Sequence, residues 1–408
     1  MARDAVPTPG TPIDLLLARL DLRQKIRLIS GADFWSTHAE PAVGLRRLVL
    51  SDGPSGVRGE RWDERDPSIS LPCGTALAAT WDPELVVRIG ALVAAEARRK
   101  GVDVVLGPTI NLHRSPLGGR HFEAFSEDPL LTGAIAAAYV AAVQSHGVGA
   151  CPKHFVANDS ETDRLTVDVR VDERTLREVY LAPFERVVAA GAWLVMAAYN
   201  GVNGATMTAS PLLRRPLKSE WAFDGVVVSD WTAVRSTDAA AGGTDLAMPG
   251  PAPLWGEPLE AAVRSGAVEE SAIDDKVCRL LRLAARVGAL EPGASPVTPD
   301  HPDAPGLVRE AAARAMVLLR NEGGLLPLDA SGLRTIAVLG PNAATARIQG
   351  GGSATVVPAR VVDPLSGLRA ALGGRASVRH AVGALSRHGL GPVDASCLAG
   401  PGLRIRFL

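Results

Sequence analysis

Between Arg47 and Gly250 the chain alternates short apolar runs with longer amphipathic stretches, the pattern of βα units wound around a parallel sheet. The runs are RLVLSD (47–52), VDVVLGP (102–108), GVGACPKHF (147–155), WLVMAAYN (193–200), GVVVSD (225–230) and TDLAMPG (244–250). Helices are predicted between them, and several have readable starts. Asp82 before Pro83, Asp128 before Pro129, Asp172 before Glu173 and Ser210 before Pro211 all fit the N-cap position, where a short side-chain oxygen accepts from the first free backbone N–H groups. Polar residues collect directly after the runs: Asp52, Asn111, Lys153 with His154, Tyr199 with Asn200, and Asp230. A barrel of this class carries its active site at that end of the strands. An open doubly wound sheet would want a glycine-rich turn before its first helix; no GxGxxG is present, and SDGPSG does not replace it. The fold class predicted is therefore α/β, a TIM-like (β/α) barrel over residues 1–290.

A segment rich in Pro, Gly and Asp, EPGASPVTPDHPDAPG (291–306), reads as a linker. Beyond it a helix through Met316, the strand TIAVLGP (335–341) and the glycine-rich loop QGGGSA (349–354) suggest a partial α/β sandwich domain over 307–400. Two units suit a chain of 408 residues, which is more than one hydrophobic core usually organises. The sequence ends in GLRIRFL (402–408), an apolar strand-like run with no turn or cap after it, and is expected to continue beyond Leu408.

Composition narrows the function. Lys+Arg number 43 and Asp+Glu 44, leaving no basic excess to neutralise a phosphate backbone, so nucleic acid is not expected as a partner. The longest apolar stretches, 134–143 and 187–199, fall short of the roughly 20 residues a bilayer span requires, and no membrane association is expected. Four scattered cysteines without a CxxC pair suggest buried thiols, and the N-terminus lacks the sequence of regions that marks a secretory signal, so a cytoplasmic location is expected.

Three stretches carry candidate chemistry. Asp230, ending GVVVSD, reads either as an N-cap for the next helix or as a reactive carboxylate, and the adjoining Trp231 favours the second because an aromatic beside a carboxylate can wall a sugar-sized pocket. KHFVANDSETDR (153–164) gathers Lys153, His154 and Arg164, donors able to hold several hydroxyls or keep a carboxylate ionised. GPTINLHRSPLGGRHFEAFSEDP (107–129) is too long for a filler loop and offers Arg114, Arg120 and Glu123. Metal binding through His113, His121 and His154 has no supporting ligand spacing, so neither a metal nor another cofactor is expected. QGGGSA lacks the Lys and Ser/Thr of a phosphate loop and reads as a flexible cover over a neighbouring domain's pocket.

SDGPSGVRG, NLHRSPLGGRHFEAFSEDP, KHFVANDSETDR and GVVVSDW, in this order, resemble glycoside hydrolase family 3, most nearly its β-glucosidases. The resemblance implies a retaining, exo-acting enzyme for terminal β-glucosyl residues, with a β-glucoside or oligosaccharide as its partner. Asp230 resembles the family's nucleophile, and Asp52 the residue that accepts from the sugar's O4 and O6 hydroxyls, with Arg58 behind it. Arg120, Lys153, His154 and Arg164 would line the glycone subsite, Tyr199 would contact the nucleophile, and Met207 and Trp231 would form pocket walls. Residues 401–408 resemble the opening strand of a β-sandwich that some members insert. Cationic neighbours such as Lys153 are expected to depress the nucleophile's pKa. The family's acid/base Glu belongs to a later part of the second domain, and nothing in this chain resembles it; the alternative dyad, KHFPGHG with a later DSH, is also absent, since KHFVAND runs on without it. A β-xylosidase or arabinosidase of the same family, or a chain that binds sugar without turning it over, are the competing readings; Asp52 favours glucose over xylose.

Overall fold

The computed structural model describes residues 12–290 and 303–384. The predicted linker falls mostly, and residues 401–408 wholly, outside that range. Five parallel strands follow the apolar runs: β1 (Leu50–Asp52), β2 (Val104–Leu106), β3 (Gly149–Ala150), β4 (Leu194–Ala197) and β5 (Val226–Ser229). β1 pairs with β2, β2 with β3, and β4 with β5, all in parallel. Single bridges continue the round. Phe155 joins the β3 stave to Ala197 of β4, Val228 joins Leu246, and Ala247 joins Ser30. Closure then runs through an antiparallel hairpin, Gly31 with Thr37 and Ser36 with Val49, back to β1. The result is a TIM-like barrel in which the TDLAMPG run contributes only bridges and the stave at Ser36–Thr37 runs against its neighbours.

All residues of these five strands are buried, and their side chains alternate between two apolar clusters. Leu50, Val104, Leu106, Leu194, Met196, Val226 and Val228 belong to one. Val105, Ala150, Val195, Ala197 and Val227 face the other, shared with helices Pro83–Arg99, Pro129–Ser145 and Ala182–Ala189. The period-two alternation of a strand produces this division, and packing on both faces explains why the runs are apolar throughout. The expected caps are made: Asp82 accepts from Leu85 N, Asp128 from Leu130 N and Leu131 N, Asp172 from Thr175 N, and Ser210 from Leu212 N.

At the N-terminal ends of the strands the barrel is closed by two aspartates. Asp103, just before β2, accepts from Val49 N (2.9 Å) and from both terminal nitrogens of Arg46 (2.8 Å each). Asp245, just before Leu246, accepts from Val227 N (2.8 Å) and Lys218 Nζ (2.6 Å), with Lys276 Nζ 3.7 Å away. Each ties a neighbouring strand's first free N–H to a cation, satisfying a donor that the ladder leaves over.

The chain forms two compact units, and the division differs from the sequence expectation. Residues up to Leu318 and the segment Gln349–Arg360 form the first; Leu319–Ile348 and the residues from Val361 form the second. Helix Ala304–Arg314 buries Ala304, Leu307 and Ala311 in the barrel's own cluster, so it belongs to the barrel rather than to the sandwich domain. Segment 349–360 is held to the barrel by backbone hydrogen bonds from Ser68 N to Val357 O (2.8 Å) and from Ala359 N to Ser68 O (2.9 Å). The second unit contains one βαβ unit, in which β6 (Thr335–Leu339) and β7 (Ser377–Ala381) pair in parallel and helix Pro364–Leu372 precedes β7. No helix among the described residues is long and apolar enough to cross a membrane.

Candidate active site

At the C-terminal ends of the strands a cavity of about 360 Å³ opens, large enough for one sugar ring and its surroundings. Its walls bring together Asp52, Arg120, Lys153, His154, Arg164, Tyr199, Asp230 and Trp231, residues drawn from strand ends and loops far apart in sequence. Asp52, closing β1, accepts from Lys153 Nζ at 2.9 Å. Burial alone would raise the Asp52 carboxyl, but the charge and hydrogen bond of Lys153, with a further hydrogen bond to Ser353, leave it below the usual carboxylate range. It is thus an ionised acceptor at the cavity floor.

Arg120 is held in place by Glu123, whose Oε1 accepts from Arg120 Nε at 2.7 Å and whose Oε2 accepts from Thr109 Oγ1 at 3.0 Å. Arg164 donates to Glu161 Oε2 (2.8 Å) and lies over the Tyr199 ring, 5.3 Å from its centroid. Tyr199 donates its hydroxyl to Trp231 O at 2.9 Å. Trp231 in turn donates its indole N–H to Phe34 O at 2.8 Å, and with Phe34 and Trp35 it forms an aromatic wall.

Asp230 follows β5. Its Oδ1 accepts from Trp231 N at 2.8 Å, while Oδ2 is buried without a hydrogen-bond partner, 3.6 Å from His154 Nε2. The depressed pKa expected from its cationic neighbours is not what results. Burial raises the carboxyl by more than Lys153, Arg120, the Trp231 N–H and the Tyr199 hydroxyl together lower it, so the net shift is upward. His154 moves the other way: burial, reinforced by Arg120, Lys153 and Arg164, holds it well below the ordinary histidine range, and the ring is neutral.

Two expected site residues, Met207 as a wall and Arg58 behind Asp52, do not line the cavity. Met207 is fully buried in the core behind the barrel, and Met196 of β4 lines the cavity in its place, because alternation along the strand turns Leu194 and Met196 to the same side. Arg58 does not border the cavity. Its guanidinium stacks between Trp35 (5.0 Å) and Trp62 (3.9 Å) and donates to Ser353 O at 3.1 Å, so it supports the rim.

The loop read as a flexible cover contributes directly, since Gly350, Gly351, Gly352 and Ser353 line the cavity. Gly350 lies so close to Phe122 that a Cβ would come within 2.3 Å of its ring, which demands glycine at that position. Phe34, Trp35, Phe122, Glu161 and Met196 were not singled out from the sequence; the aromatic pair in GADFWST was the available signal for the first two. Among the described residues no group of three or more His, Cys, Asp or Glu could hold a metal ion. His113 and His121 stack at 4.9 Å between ring centroids, and His113 Nε2 faces His121 O at 3.0 Å.

Residues 48–283 match the glycosyl hydrolase family 3 N terminal domain, and residues 316–389 its C-terminal domain. A β-glucosidase of Rhizobium radiobacter is 48% identical over 377 residues, covering 91% of this chain and 46% of its own length. The β-glucosidase of Kluyveromyces marxianus in complex with glucose superposes with a TM-score of 0.86 at 36% identity, over 94% of this chain and 48% of that one. β-Glucosidase 3B of Thermotoga neapolitana in complex with glucose gives 0.84 at 35% identity, over 90% and 55%. The chain spans about half the length of the curated relatives it matches.

Proposed function

Because the chain belongs to glycosyl hydrolase family 3, we propose that it carries the glycone subsite and the nucleophile of a retaining, exo-acting β-glucosidase acting on terminal non-reducing β-D-glucosyl residues. The observation that carries this reading is the unpartnered, buried Oδ2 of Asp230 in a sugar-sized cavity whose other charged groups are fixed in pairs. Asp230 attacks the anomeric carbon, the bond to the aglycone oxygen breaks, and a glycosyl ester forms. Asp52, Lys153 and Arg120 hold the sugar hydroxyls. Fixed charged partners of this kind discriminate strongly, since a substrate lacking a hydroxyl leaves one of them unpaired in the cavity.

Retention needs a second carboxyl group to protonate the leaving oxygen and later to activate water. The other carboxylates lining the cavity are each committed to a cation: Asp52 to Lys153, Glu123 to Arg120, and Glu161 to Arg164. On this reading the acid/base lies outside the described residues. A dinitrophenyl 2-deoxy-2-fluoroglucoside, whose leaving group needs no protonation, is expected to esterify Asp230. Peptide mapping that finds the label on Asp52 or another carboxylate would overturn the assignment.

A further inference from the structure

We propose that Asn111 is a positioning residue that fixes the tautomer of His154, and through it keeps the ring from donating to Asp230 Oδ2; the catalytic consequence rests on Asp230 being the nucleophile. Asn111 follows β2 and is 7% exposed. Its carboxamide grips His154 at three points. Nδ2 donates to His154 O (3.0 Å), Oδ1 accepts from His154 N (2.8 Å), and the same Oδ1 faces His154 Nδ1 at 3.1 Å. The amide orientation is determined, because the backbone N–H can only donate and the backbone carbonyl can only accept. An oxygen therefore stands opposite Nδ1, and Nδ1 must carry the ring proton.

The other ring nitrogen agrees. Arg120 Nη2 lies 3.2 Å from His154 Nε2, and a guanidinium has donors only, so Nε2 must present its lone pair. A neutral ring with its proton on Nδ1 satisfies both ends at once. The same loop fixes Arg120, since Thr109 holds Glu123 and Glu123 holds Arg120 Nε. One strand end thus orients both members of the His154–Arg120 contact.

The consequence falls on Asp230. In the opposite tautomer Nε2–H would oppose the Arg120 donor and point toward Asp230 Oδ2, now 3.6 Å away. A hydrogen bond there would stabilise the carboxylate and make it a poorer nucleophile. Asn111 excludes that state.

Long-range proton–nitrogen NMR correlation on histidine-labelled protein tests the tautomer independently of any turnover. Native His154 is expected to show a protonated Nδ1 and an unprotonated Nε2. Asn111→Leu, which removes the oxygen opposite Nδ1, is expected to lose the pattern. Esterification of Asp230 by the fluoroglucoside is expected to slow about tenfold in Asn111→Leu, as for loss of one hydrogen bond to a charged group, with its acid limb moved to lower pH. A native His154 protonated on Nε2 would overturn the proposal, as would a folded Asn111→Leu with native tautomer and native labelling rate. Labelling of a carboxylate other than Asp230, with the tautomer as expected, would instead refute the functional reading and leave the role of Asn111 in holding His154 standing.

Discussion

The two ends of the barrel both bury aspartates among cations, yet they treat the carboxylate oxygens differently. At the N-terminal end both oxygens of Asp103 and both of Asp245 are engaged, by a strand N–H and by Arg46 or Lys218. At the C-terminal end Asp230 has Oδ1 on Trp231 N and no cation on Oδ2, although Lys153, Arg120 and His154 surround it and the Tyr199 hydroxyl lies close by. A fully satisfied buried acid is costly to remove because its partners are left unpaired, whereas one left partly unsatisfied lowers stability and is retained where chemistry needs it. The closed end holds the staves in register, and the open end leaves one carboxylate oxygen without a cation at a residue that lines the cavity.

The same isosteric substitution at both ends separates these roles. Asp230→Asn is expected to abolish esterification and reduce turnover of a dinitrophenyl glucoside by about 10⁴-fold or more, as for other lost nucleophiles. Its melting temperature should stay level or rise, because the raised pKa of Asp230 marks its ionised form as unfavourable in the folded state. The sign follows from that direction: the group is protonated in both states at low pH, and the penalty grows as pH rises past the unfolded carboxylate range and is complete above the folded value. The stability advantage of Asp230→Asn should therefore widen from acid toward neutral pH in thermal scans. A large drop in melting temperature would mean that Asp230 is a structural acid like those at the other end.

Asp245→Asn should do the reverse. It leaves Lys218 and Lys276, which are 12% and 3% exposed at the side chain, to the more distant and half-exposed Asp275, 3.8 Å from Lys218 Nζ. A loss of about 3–5 kcal/mol is expected by denaturant titration, as when one partner of a buried pair is removed. At temperatures where the variant stays folded, the rate of Asp230 labelling should remain within about twofold of native, since distant, unconnected sites behave independently. A labelling rate that falls with stability intact would break the comparison.

The sequence made one of these ends far more legible than the other. Strands packed on both faces leave unbroken apolar runs, so β1 to β5 and the polar residues after them could be located, and the aspartate caps have a local signature. That same unbroken run hides which face a residue takes. The resemblance points to Met207 as a wall, and only the alternation of β4 in the folded barrel selects Met196. The staves at Ser30 and Ser36 are too short to carry any period, so the antiparallel closure left no trace. The sign of the Asp230 shift depends on burial exceeding two nearby charges, a balance of magnitudes that residue types do not contain. Ser353 reaches Asp52 across about 300 residues of chain, and a glycine-rich loop shows that it bends, not where it lands.

The smallest expected effect concerns Lys276, and it asks whether every charge at the closed end is needed. Burial lowers its pKa from 10.5 to about 8, outweighing the pull of Asp245, which already has Lys218 nearer at 2.6 Å. A lysine whose folded value lies below its unfolded one destabilises the fold wherever it is protonated in both states. That penalty is complete below pH 8, and it is relieved as pH rises from about 8 to 10.5, where the unfolded chain binds the extra proton. Lys276→Met keeps the apolar stem, removes the penalty and leaves Asp245 paired with Lys218, so at pH 7 it should stabilise the protein by about 1 kcal/mol. The gain should shrink steadily between pH 8 and 10.5 as the native lysine loses its proton. Denaturant titrations of both proteins at pH 7, 8.5 and 10 decide it: a variant less stable than native at pH 7 would show that Lys276 is a needed second partner of Asp245, and that the closed end requires both lysines.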